Sequence, residues 1–225
     1  MRRHACAQHR RDRRAAGGED REEKRAHAAR GAGVRVTAPD EVLDYWFGAP
    51  GSPERGSTRA LWFTKSAQTD AEVRERFAAA VEAALAGGLR EWADTPRGAL
   101  ALIVLLDQFT RNIHRDTPRA FAGDAQALAL ARQLVAAGDD RRLTPHERWF
   151  AYLPFEHSEA LADQHESLRL FAALDAEAPL GALEWARKHY EVIERFGRYP
   201  HRNAILGRQS TAEEIEFLQQ PGSRF

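Results

Sequence analysis

One cysteine in 225 residues, Cys6, excludes a disulfide within a single chain. That fits a reducing compartment, and a cytoplasmic location is expected. Net charge is also missing, since 33 Lys and Arg balance 33 Asp and Glu. The asymmetry that exists lies in Met1–Val36, where eleven cations face five acids for +6, leaving −6 for the remainder. No sustained basic stripe appears in that remainder, so nucleic acid is not an expected partner. Long apolar runs are absent: the longest, Ala99–Leu106, falls far short of the roughly 20 residues that span a bilayer. No membrane is expected. Nor is there an alternating β-branched run bounded by turns, so no strand is predicted. Familiar chemical signatures are missing too. His146-Glu147 is followed by Arg-Trp-Phe rather than a zinc-motif histidine. There is no phosphate-cradling glycine loop, dinucleotide fingerprint or Gly-x-Ser-x-Gly elbow. Neither a metal site nor a cofactor is predicted.

The leader up to Gly33 has arginine pairs without a subsequent apolar stretch, so it is not a secretory signal. Its acids argue against a mitochondrial transit peptide. Residues 1–36 read as a basic disordered leader or as the product of a start placed too far upstream, with an arm for nucleic acid or a membrane surface as the alternative.

What is present is helix punctuation. Thr37-Ala-Pro-Asp40 has capping-box spacing ahead of Val42–Phe47, and Gly48 is the stop. Thr69 is placed to cap a helix with Val73, Phe77, Val81 and Leu85 on one face. Thr95-Pro96 sets a cap and a first-turn proline before Ala99–Leu106, which is apolar on every side and should be the central buried helix. Thr117-Pro118 repeats the device before a helix closing at Gly138, and Thr144-Pro-His-Glu147 combines it with a capping box. Pro154 is expected to break the helix that this box starts. Helices from Phe155 to Leu174 and from Leu180 to Phe196 come next, then a Ser210-Thr-Ala-Glu213 box before a short last helix. The prediction is one all-α domain over 37–225, about eight or nine helices packed as antiparallel pairs.

Polar side chains on apolar faces mark the candidate site. At about 100° per residue, His157 and Gln164 fall on the inward stripe of Phe155–Leu174 with Leu161, Leu168, Phe171 and Ala172. Glu156, Glu159 and Asp163 fall opposite. His189 lies in the apolar arc of the next helix, beside Ala186, Tyr190 and Ile193. Asp107 and Arg111, like Gln108 and Asn112, are four apart and share a face. A carboxylate ending an apolar helix must be ion-paired, with Arg111 as local partner and Arg198 or Arg202 as distant ones. Between the last two helices, Arg195–Thr211 gathers Arg198, His201, Arg202, Asn203 and Arg208 around corners at Gly197, Pro200 and Gly207. The expectation is that three polar segments meet in space, bringing His157, His189 and His201 to one place. The bland alternative is that each group satisfies a neighbouring helix end.

Trp46-Phe-Gly, Leu105-Leu-Asp-Gln-Phe-Thr-Arg-Asn-Ile113, Pro154-Phe-Glu-His-Ser-Glu159 and Phe196-Gly-Arg-Tyr-Pro-His-Arg-Asn-Ala-Ile-Leu-Gly-Arg208 resemble the family called domain of unknown function 924. The resemblance runs from about Pro39 to Phe225 in order. It implies a tetratricopeptide-like all-α fold, mainly bacterial, with no activity to carry over. Thr110 departs from the family pattern, which usually has Pro there, and is expected to loosen the end of the buried helix.

Three functions stand as expectations. In the first, a buried or half-buried polar pocket binds a small anionic molecule through Gln108, Arg111, Asn112, Gln164, His189, Arg198, Arg202, Asn203 and Arg208. In the second, the helices form a tetratricopeptide-like scaffold for a protein partner and the polar motifs are structural. In the third, the protein is a hydrolase, with Asp107, His157, Glu159 and His201 as acid–base candidates and Ser158 as a conceivable nucleophile.

Overall fold

The computed structural model describes residues 37–224, and the leader expectations lie outside them. Among the described residues every regular element is helical. The chain runs through α1 (Pro39–Phe47), α2 (Ala60–Phe63) and α3 (Ala67–Leu85). A 3-10 turn, Arg90–Asp94, leads into a central rod made of α4 (Pro96–Ile103), a π-helical stretch Val104–Phe109 and α5 (Thr110–Ile113). After a 3-10 turn at Pro118–Phe121 come α6 (Asp124–Ala136), a 3-10 turn at Asp139–Arg142, α7 (Pro145–His157), α8 (Leu161–Glu177) and α9 (Ala182–Phe196). A last 3-10 turn at Pro200–Arg202 precedes α10 (Ala212–Phe217).

The rod is the core. From Gly98 to Asp107 every residue is buried, as apolarity on all faces requires. It packs against α1, α3, α6 and α7, while α8 lies between α7 and α9. Aromatic rings fill one side: Phe109 meets Trp46 at 5.4 Å and Phe77 at 4.8 Å, and Phe150 meets Trp62 at 4.9 Å. Polar groups gather on the other side.

Thr110 ties the rod rather than loosening it. Its N–H and its Oγ1 both donate to the Leu105 carbonyl, the hydroxyl at 2.9 Å. That is the i to i−5 bond of a π-helical turn, and a proline there would supply neither donor.

Several boundaries differ from the sequence reading. Pro154 lies inside α7 and breaks nothing, and the helix expected over Phe155–Leu174 is two helices parted at Ser158. Each has its own rotational phase, which is why the wheel misplaced residues. Leu161 and Ala172 face solvent, whereas Glu156 and Asp163 are buried. The cap of α3 is Ser66, not Thr69, whose N–H donates to the Ser66 hydroxyl at 3.2 Å. Ala38 begins α1 without a side-chain cap, so Thr37 plays no such part. Thr117 leads into the 3-10 turn uncapped, its hydroxyl spent on the His114 carbonyl. The final capping box is Thr211 with Glu214, one residue beyond the spacing read from sequence. Thr95 and the Thr144–Glu147 box cap as expected.

Gly123, at the start of α6, lets that helix abut the rod. A Cβ there would stand 2.2 Å from the Leu106 carbonyl oxygen, a backbone atom that cannot swing aside. Gly123→Ala is expected to cost about 1–3 kcal/mol by forced displacement, and Thr110→Val about 1 kcal/mol through the lost hydroxyl bond. Denaturant titration of both variants measures these losses.

Candidate functional site

At the π-helical stretch the rod turns an acid toward its polar side. Asp107 is 1 % exposed and accepts from Arg111 at 3.0 Å, from Gln108 at 2.6 Å and pairs with His157 Nδ1 at 2.7 Å. Burial alone would raise its pKa, but Arg111 and His157 outweigh burial and hold the carboxyl well below the usual range. Arg111 also donates along both arms to Asp124, at 2.9 and 3.0 Å. The same Asp124 is the carboxylate in ion-pair range of Arg202, at 3.6 Å. Arg202 is 7 % exposed, its guanidinium lying 4.5 Å from the Tyr199 ring and 4.8 Å from that of Phe121. Its buried Nε has no hydrogen-bond partner. Burial, then the neighbouring Arg111, lower its pKa.

Around this core the three histidines do come together. The rings of His157 and His189 are 6.2 Å apart, and Tyr199 lies 5.7 Å from His189 and 5.5 Å from His201. Burial lowers the pKa of all three imidazoles. His189 is pushed down to about 3 by burial and then by His157, and His201 to about 3 by burial and then by Arg202. His157 is lowered chiefly by burial, against the pull of Asp107. Glu156, 2 % exposed, sits 3.2 Å from His189 Nδ1, and its other oxygen has no hydrogen-bond partner. Burial and the charge on Asp107 push its carboxyl up to about 8.

The remaining candidates serve other ends. Gln164 gives its amide to the carbonyls of Glu156 and Ser158, both at 2.7 Å, closing the end of α7. Tyr199 also donates to the Glu156 carbonyl. Asn112 turns away to Asp70 at 2.7 Å. Arg198 and Asn203 are engaged by Glu214, at 2.6 and 3.2 Å, and Arg208 grips Glu159 along both arms, at 2.7 and 2.9 Å. Glu214 and Thr211 also satisfy two of the N–H groups at the start of α10, those of Thr211 and Glu214. Ser158 donates to Asp163 at 2.7 Å, not to an imidazole. The structure thus unites Asp107, Gln108, Arg111, His157, His189, His201 and Arg202, and commits Asn112, Arg198, Asn203 and Arg208 elsewhere.

Sequence reasoning missed Asp124, Glu156, Phe121 and Tyr199. Asp124 carried a usable signal, an acid directly after glycine at a helix start. Glu156 carried none, because its direction depends on where α7 ends. Two surface depressions, of about 590 and 400 Å3, lie elsewhere, lined by residues such as Asp44, Tyr45 and Arg76 in one and Pro39 and Arg97 in the other. Neither contains the buried titratable groups, which carry the chemical interest.

Buried acids, arginines and imidazoles meeting between helix ends define an all-α protein with a polar centre. The chain belongs to the family described as bacterial protein of unknown function (DUF924), whose model matches residues 42–222. It is similar to the solved structure of ATU0120, a protein of unknown function from Agrobacterium tumefaciens. That likeness has a TM-score of 0.70 and 35% identity, over 80% of this chain and 96% of that one. No curated protein matches the chain. Among the described residues no helix is long and apolar enough to cross a membrane.

Glu214 offers a pH test of the pairs around α10. The hydrogen bond from Arg198 holds its carboxyl down to about 2, against an ordinary 4.5. A carboxylate depressed in the fold stabilises fully above the unfolded value and stops doing so as pH falls through the folded one. Thermal melts of the wild type should therefore lose this contribution between about pH 4.5 and pH 2, and Glu214→Gln should show a flatter acid limb.

Proposed function

We propose that the polar centre binds a small anion, with Arg202 as principal contact and Arg111, His157 and His201 around it. One observation carries the reading: a buried guanidinium whose Nε has no hydrogen-bond partner and whose acid stands at 3.6 Å, beyond bonding distance. The flat rings of Phe121 and Tyr199 fix its plane, so its donors are presented in a set direction. A carboxylate or phosphate edge matches that fork. It would also relieve the mutual repulsion of Arg202 and Arg111, which is part of why the Arg202 pKa is lowered.

A second reading has support for part of the set. Arg198, Asn203, Glu159 and Arg208 act as ties between helix ends, as the scaffold alternative expects. The hydrolase alternative has less, since Ser158 is engaged by Asp163. A tetratricopeptide-like stacking of one domain over 37–225, in the cytoplasm, belongs to the same proposal.

Inorganic phosphate, sulfate and small carboxylates are the probes, read by thermal shift. At a concentration 100 times Kd a ligand stabilises by about 2.7 kcal/mol, a rise of several degrees. Arg202→Lys keeps the charge but loses the fork and should abolish that rise. An unchanged wild-type melting temperature across the panel would overturn the reading.

A further inference from the structure

The anion reading leaves Glu156 and His189 without a task. With His157 they form a compact set in which one donor atom from each lies within 4.8 Å of the others. Two of them end α7 and the third stands on α9, so the set is held between two helices. We propose that Glu156, His157 and His189 bind one first-row divalent cation of the Zn2+ type. No ligand pair in the sequence has metal-motif spacing, which is why no metal was expected there.

Three observations support the site. The first is the orphan oxygen of Glu156, buried without a hydrogen-bond partner. Protonated, it finds no acceptor; ionised, it finds no donor. A cation satisfies it directly.

The second is the way the imidazoles are braced. His157 Nδ1 rests on Asp107 at 2.7 Å, and Asp107 is itself held by Arg111 and Gln108. His189 Nδ1 rests on the Trp185 carbonyl at 2.9 Å. A carboxylate or carbonyl behind Nδ1 places the lone pair on Nε2, the support that metal-bound histidines ordinarily receive.

The third is donor chemistry. Arg111 and Arg202 are faced by Asp107 and Asp124 rather than by Glu156. Two imidazoles and one carboxylate suit Zn2+ and its first-row neighbours, with a position left open. They do not suit Mg2+ or Ca2+, which prefer oxygen. Bonds of about 2.1 Å place tetrahedral ligand atoms about 3.4 Å apart, so loading draws the three side chains inward.

The test uses the full chain, stripped with chelator and titrated with Co2+ by absorption and with Zn2+ by calorimetry. Wild type is expected to take up an equivalent that Glu156→Gln and His189→Gln lose, with affinity reduced at least about 100-fold. His4, Cys6, His9 and His27 precede the described residues, so uptake equal in wild type and both variants means binding elsewhere and overturns the proposal. So does no uptake by wild type. Arg202→Lys should keep the metal, which separates this outcome from failure of the anion reading. Should a variant not fold, the wild-type protein still decides. Zn2+ must move the imidazole nitrogen resonances of His157 and His189, and unchanged resonances refute the site.

Discussion

An ionised carboxylate in the protein interior sets the terms for everything packed around it. Asp107 sits at the end of a rod that is otherwise apolar, 1 % exposed, and its charge is far too costly to leave uncompensated. Arg111 answers from one turn on and His157 from another helix. Arg111 in turn recruits Asp124 from the start of α6, and Asp124 brings Arg202 within reach. Four segments distant in sequence are thereby fixed to one point. A buried network of this kind is held together strongly because the removal of any member strands the others.

How far this was legible depends on the kind of signal each part carries. The rod was plain in the sequence because an eight-residue apolar run has no solvent side to offer, and every residue of Ala99–Leu106 is buried. The Asp107–Arg111 pair was plain because spacing of four on a helix is a local geometric fact. The burial of Glu156 was not legible, because Pro154 looks like a helix breaker yet sits within α7. One misplaced boundary rotated the whole reading of α8 and sent Leu161 inward and Asp163 outward, opposite to their true directions. Side-chain partners in the Arg195–Thr211 loop were harder still. Five cation, imidazole and amide groups were visible there, but nothing local says that Glu214 and Glu159 take three of them.

The polar groups therefore divide by what they already hold. Arg198, Asn203 and Arg208 are spent on carboxylates and fasten the segment after α9 to α10 and to the loop after α7. Arg202 and Glu156 are placed among those tethered neighbours and keep unsatisfied atoms, as Asn203 Oδ1 and Arg208 Nε also do. Buried polar atoms without partners are uncommon in folded proteins, and here an under-bonded cation and an under-bonded acid share one neighbourhood. The family's conventional description says nothing of chemistry. The uneven satisfaction of these side chains is where chemistry is to be sought.

The π-helical stretch Val104–Phe109 has a further implication for how such a chain can change over evolutionary time. A π turn is equivalent to one residue inserted into an α-helix. Deleting a single residue there would restore a regular α turn that leaves the flanking halves in phase, but would re-space the side chains within the turn itself to about 100° per residue. Asp107 and Phe109 then could not both keep the sides they now occupy, acid toward the histidines and ring toward Trp46. Point substitutions along the rod can be absorbed one at a time, whereas a change of length at this turn would uncouple the aromatic half of the molecule from the polar half in one step.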